Sequence, residues 1–206
     1  MKNFFYLFLL LLTPLQGTGQ SFPSQVWHEG RLVLQNQDTV YGELKYNMEG
    51  NVVQVKLNRR MKTFSAQQIL FFEFLDKTNN KFRQIYALPY DLVGNYKAPV
   101  FFEVIYENTL TLLARETIVQ ETSNRYNYYY RGFDRFDTRT VLDYEYYFLG
   151  PEGDIERFNE KKNDLLNFFG NQQQTVEQYM KENGLNVGNR SDLVKIIAYY
   201  NSLINT

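Results

Sequence analysis

The sequence predicts an α+β protein: a mainly antiparallel β-sheet, or a small barrel or sandwich, followed by a C-terminal helical segment. Three observations carry this. Between residues 26 and 158, apolar and polar residues alternate in short runs separated by polar turns, which is the period of a half-buried strand. Past residue 155 the apolar spacing changes to the helical one. Nothing between the strand runs is helical for long, which argues against a parallel βαβ layout.

Taken in order, Leu32 and Leu34 alternate with polar neighbours before a turn at Asn36-Gln37-Asp38, and Val40, Gly42, Leu44 and Tyr46 carry the returning strand. Met48-Glu49-Gly50-Asn51 turns the chain again into Val53, Val55 and Leu57, and Arg59-Arg60 interrupts before residues 61–64. Residues 69–75 are apolar except for Glu73, as suits a central strand covered on both faces. A polar turn at 76–80 leads into a strand over 82–88. Residues 89–99, with two prolines and Gly94, read as a looser surface crossing. Residues 100–106 and 110–120 then form a hairpin, and 141–149 is a further strand closed by a turn at Gly150-Pro151-Glu152-Gly153.

In the C-terminal segment, Asn159 is expected to cap a helix that stops at Gly170. Thr175 and Gln178 have capping-box spacing for a second helix ending at Gly184. Asn189 or Ser191 caps a third, in which Leu193, Ile196, Ile197, Tyr200, Leu203 and Ile204 share a broad apolar face. The expected organisation is a leader over 1–19, a β domain over 20–158 and a helical tail over 159–206 packed on it.

The chain has 206 residues, and 17 Tyr, 17 Phe and one Trp make it unusually aromatic. It has no Cys, so disulfides, thiol catalysis and zinc–thiolate sites are excluded. A net charge of −1 gives no electrostatic case for nucleic acid as a partner. At the N-terminus, Lys2 precedes a nine-residue apolar run from Phe4 to Leu12, then Pro14 and the small residues of Gly17-Thr18-Gly19. This is the layout of a cleavable secretory signal peptide cut before Gln20. As a helix the run spans about 14 Å, against about 30 Å of hydrocarbon core, so it is too short for an anchor. The expected location is periplasmic or extracellular, with no transmembrane helix after cleavage.

His28 and Glu29 invite a general-base reading, but adjacent strand residues point to opposite faces and no nucleophile motif accompanies them. Glu73, Glu103, Asp143 and Glu145 stand in apolar or aromatic strands, where desolvation could tune a carboxylate pair for glycoside hydrolysis. No calcium loop and no phosphate-cradling glycine loop is present, so neither metal nor cofactor is expected. The most distinctive segment is 123–140. Its candidate binding residues are Arg125, Tyr126, Tyr128, Tyr129, Tyr130, Arg131 and Arg135, since Tyr and Arg combine contact area with directional polar tips. This segment is expected to be an exposed loop that contacts a glycan or an envelope protein.

The strand-turn-strand over 31–44, with Asp38 in the turn, looks like the opening hairpin of SH3-like or Sm-like barrels. Val26-Trp27-His28-Glu29-Gly30, the strands at 69–74 and 100–106, and Ser191-Asp192-Leu193-Val194-Lys195-Ile196-Ile197 together resemble an uncharacterised group of secreted proteins from Gram-negative bacteria. That resemblance implies export and brings no activity with it. The functional expectation is therefore a non-enzymatic ligand- or partner-binding envelope protein. A carbohydrate-active enzyme using paired strand carboxylates and a structural or stress-related envelope component are the alternatives.

Overall fold

The computed structural model describes residues 21–58, 60–92, 96–124 and 136–204. Among these, ten strands form one antiparallel sheet: β1 (His28–Leu34), β2 (Thr39–Asn47), β3 (Val52–Leu57), β4 (Arg60–Ser65), β5 (Ile69–Asp76), β6 (Lys81–Asp91), β7 (Lys97–Tyr106), β8 (Thr111–Asn124), β9 (Phe136–Leu149) and β10 (Ile155–Phe158). Three helices follow: α1 (Lys162–Phe168), α2 (Gln173–Glu182) and α3 (Arg190–Ile204). The spatial order is β10-β9-β8-β7-β6-β5-β1-β2-β3-β4, so β1 pairs with β5 as well as with β2 and every other contact joins sequence neighbours. The protein is α+β and mainly β, as the alternation predicts.

The sheet curls. Alternate residues of β1, β2, β3, β5 and β6 point to one interior, where Leu32, Leu44, Tyr46, Val53, Val55, Phe72, Phe74 and Ile85 are buried together with Phe101 of β7. The curl brings the β2–β3 turn against β7 and β8, which pair over only a short stretch near the β7–β8 turn. Beyond that stretch the turn fills the split. Asn51 Oδ1 accepts from the Phe101 N–H at 2.9 Å and from Arg115 Nη1 at 3.3 Å. Arg115 also donates to the carbonyls of Phe101 and Met48, each at 2.7 Å. A guanidinium and an amide thus replace the ladder partners that β8 withholds.

The three helices cover the neighbouring part of the sheet. Leu165, Leu166, Phe169, Val176, Met180, Leu193, Ile196 and Ile197 are buried against Leu112, Ala114, Tyr146, Phe148 and Phe158. Asn201 of α3, 1% exposed, accepts from the Leu110 N–H at 2.8 Å and donates to the Leu110 carbonyl at 2.9 Å. It therefore docks the helix on the β7–β8 turn through hydrogen bonds as well as apolar packing.

Several sequence expectations are corrected. Residues 89–91 and 97–99 are strand rather than loose crossing. Pro89 and Pro99 pair directly, and the Leu92 N–H to Tyr96 carbonyl bond sets the phase so that this is a non-hydrogen-bonded pair. Neither proline's missing N–H is therefore needed between β6 and β7. The aromatic segment is also shorter as a connection than 123–140, because β8 and β9 stay paired out to Asn124 and Phe136. Asn159 is not a cap, since α1 begins after Lys161. Thr175 lies inside the first turn of α2, which starts at Gln173. Gly184 does end α2: its φ is +61°, and the Leu185 N–H reaches the Met180 carbonyl at 2.9 Å. Asn189 caps α3, accepting from the Ser191 and Asp192 amides. Ile204, at 38% exposure, falls outside the buried face of α3.

Candidate functional site

Inward-facing positions of five strands end in polar groups at one depth of the curl: Tyr46 of β2, Asp76 of β5, Arg83 of β6, Glu103 of β7 and Glu116 of β8, all buried. Arg83 is the hub. Its Nη1 donates to the Tyr46 hydroxyl at 2.8 Å and to Glu116 Oε2 at 3.0 Å, and its Nη2 donates to Glu103 Oε2 at 2.7 Å. Asp76 Oδ2 lies 3.5 Å from the same guanidinium, while its Oδ1 accepts from the Thr78 N–H and hydroxyl. Glu103 Oε1 receives a second arginine, Arg190 at the start of α3, at 3.1 Å. Arg190 in turn lies over the Tyr144 ring. Burial opposes the charge on Arg83, but Glu103, Tyr46 and Glu116 outweigh it and hold its pKa above the ordinary arginine value. Burial pushes the Tyr46 hydroxyl well above the usual phenol range, so it stays protonated.

Three carboxylates thus surround one buried guanidinium, and Arg190 at the rim supplies the second. Glu116 is the least satisfied member, because its Oε1 is buried and has no hydrogen-bond partner among the described residues.

His28 adjoins this layer and packs against Phe74 with the rings tilted, 4.7 Å between their centres. Its Nδ1 accepts from the Lys77 N–H at 3.1 Å, so its Nε2–H donates to the Pro23 carbonyl at 2.7 Å. Both nitrogens are used and the ring is fully buried. His28 ties the N-terminal approach to the β5–β6 turn and is no general base.

Among the described residues, two cavities reach the charged layer. The first, of about 340 Å³, lies between the β2–β3 hairpin and β8, and is lined by Lys45, Tyr46, Met48, Gln54, Glu116 and Ile118 among others. The second, of about 270 Å³, is lined by Lys81, Arg83, Glu103, Tyr144 and Arg190. A shallower groove along α2 and the turn after it lies apart from the charges.

The four carboxylates singled out in the sequence do not assemble. Glu73 bonds Arg31 and faces away from the interior. Glu145 is held by Arg157 and by the Tyr147 hydroxyl. Asp143 is exposed and accepts from the Tyr144 N–H. Of the four, Glu103 lines one of the two cavities described above, and its companion at Arg83 is Glu116, which the sequence did not single out. The signal for Glu116 was present in its inward phase after Leu112 and Ala114. Arg125, Tyr126, Tyr128, Tyr129, Tyr130, Arg131 and Arg135 lie outside the described residues, in the connection between the paired residues Asn124 and Phe136. Among the described residues no group of three or more His, Cys, Asp or Glu side chains is placed to hold a metal ion. No described helix is long and apolar enough to cross a membrane.

The fold and site together define a curled antiparallel β protein with a helical cover, a charged layer inside the curl and a small cavity opening onto it. No family model, curated protein or solved structure matches the chain.

Proposed function

We propose that this chain is an exported, non-enzymatic binding protein of the bacterial envelope that takes a small polar ligand in the cavity between the β2–β3 hairpin and β8. The observation that carries this reading is the division of labour around Arg83. Glu103 and Glu116, which could have formed an acid–base pair, share that guanidinium, while beside them the cavity keeps mixed hydrogen-bonding and apolar walls. Such a lining recognises a ligand without a reacting pair to transform it. The N-terminal leader pattern supports export.

Native mass spectrometry of the protein purified from its host tests both parts. The expected result is a chain starting near Gln20 that carries a small-molecule adduct. The adduct is lost in Ile118→Trp, which fills the cavity from a partly exposed wall, with the denaturation midpoint unchanged. A retained Met1 overturns export. Hydrolysis of a chromogenic glycoside panel that disappears in Glu103→Gln replaces the binding reading with the enzymatic one.

A further inference from the structure

We propose that the ligand of this cavity is a primary alkylammonium whose nitrogen is held by Glu116. The inference deepens the binding reading above and rests on it.

The charge balance comes first. Asp76 is satisfied by Arg83 and by both donors of Thr78, and Glu103 by Arg83 and Arg190. Glu116 accepts from Arg83 at its Oε2 and interacts with the Tyr46 hydroxyl, its side chain is 2% exposed, and its Oε1 has no donor among the described residues. The layer therefore holds three carboxylates against two guanidinium groups, and the oxygen without a donor belongs to the one of the three carboxylates that lines the first cavity. In the cavity wall Lys45 and Glu49 offset each other, so Glu116 sets its sign. A buried carboxylate oxygen without a donor calls for a cation that also donates hydrogen bonds.

The kind of cation follows from what surrounds it. Hard metal ions require several oxygen ligands converging on one point, and among the described residues no group of carboxylates is placed to hold one, those around Arg83 included. A quaternary ammonium requires an aromatic cage, and the cavity offers only Tyr46, itself 2% exposed. A primary ammonium needs two or three acceptors, which Glu116 and the Gln54 amide around the same space supply, together with the second lone pairs of Gln25 Oε1 and Asn47 Oδ1, which already accept from the Phe22 and Gly50 N–H groups. Met48, Val52 and Ile118 provide an apolar wall for a short alkyl stem.

The test is titration of the full-length exported chain with n-butylammonium, followed by calorimetry and by NMR of the methionine and isoleucine methyls. n-Butanol and tetramethylammonium serve as controls. The expected result is saturable binding of n-butylammonium alone, at least tenfold weaker in Glu116→Gln, with Overhauser contacts from the butyl chain to the Met48 and Ile118 methyls. Equal affinity in Glu116→Gln overturns the proposal. If that variant does not fold, absence of the Met48 and Ile118 contacts in the wild type overturns it independently. Failure of n-butylammonium to displace a native adduct that Ile118→Trp abolishes overturns the ammonium assignment while leaving the binding reading in place.

Discussion

Gly30 and Gly42 stand directly opposite each other in β1 and β2, and at each a neighbouring strand's carbonyl oxygen occupies the space of a side chain. A Cβ on Gly30 would lie 2.2 Å from the Glu73 carbonyl oxygen, and one on Gly42 would lie 2.5 Å from that of Lys56. Both obstacles are backbone, so neither can rotate away. The pair lets β5, β1, β2 and β3 approach closely where the sheet curls. Gly30→Ala is expected to destabilise by about 1–3 kcal/mol or more, because overpacking must move a strand. Urea denaturation of the single variants measures it, and a midpoint equal to wild type would show that the curl has slack.

Arg83→Met leaves Asp76 and Glu116 buried without a guanidinium and Glu103 with Arg190 alone. The expected cost is about 3–5 kcal/mol at neutral pH. Denaturation midpoints of Arg83→Met and Arg83→Lys check this: a smaller loss in Arg83→Lys is expected, and equal losses would mean that packing rather than charge is what Arg83 supplies.

Tyr46 and Tyr147 have hydroxyls pushed up chiefly by burial, Tyr147 also through its bond to Glu145. Their folded-state pKa values lie above the unfolded value of about 10. The stability they contribute is fully present below pH 10 and is lost as pH rises beyond it. Each is expected to lower unfolding free energy by about 1.4 kcal/mol per pH unit while only the unfolded chain ionises. Tyr46→Phe should flatten that alkaline slope, which stability measurements between pH 9 and pH 11.5 resolve.

Asn201→Leu removes the side chain that satisfies both backbone groups of Leu110 and leaves them buried. The expected loss is roughly 1–3 kcal/mol for an unsatisfied group. The Leu110 amide should exchange with solvent much faster. Ile197→Ala on the same helix, at a fully buried position, should cost about 2–5 kcal/mol without selectively exposing that amide. The two variants separate polar docking from apolar packing.

Strand alternation made the sheet legible, since each inward row has period two and most turns carry Asn, Asp or Gly. It did not show that rows from five strands bring Tyr46, Asp76, Arg83, Glu103 and Glu116 to the same depth. That depends on register and curl, which no single strand encodes. Pro89 and Pro99 were misleading for a related reason, because a proline is harmless at a non-hydrogen-bonded pair and only the pairing phase identifies one. Asn201, which the sequence reading did not single out, stands four residues after Ile197 on the buried face of α3. Glu73 looked embedded in a buried strand, but its phase points it outward to Arg31.

The seam that shapes the cavity depends on Asn51, which stands at φ +50° and accepts from both the Phe101 N–H and Arg115. Two substitutions separate these roles. Asn51→Gly keeps the left-handed backbone accessible and loses only the acceptor, whereas Asn51→Ala also incurs the left-handed penalty of about 1–2 kcal/mol. Asn51→Ala should therefore be less stable than Asn51→Gly by about that amount. Both should expose the Phe101 amide to hydrogen exchange, because no β8 carbonyl is paired opposite it. Arg115→Met should raise the same amide's exchange by loosening the turn, with a stability loss on the order of 1.5–3 kcal/mol for hydrogen bonds made by a charged donor. If the Phe101 amide stays protected in all three variants, the split between β7 and β8 is closed by something other than this turn. The cavity walls would then not depend on where the turn is pinned.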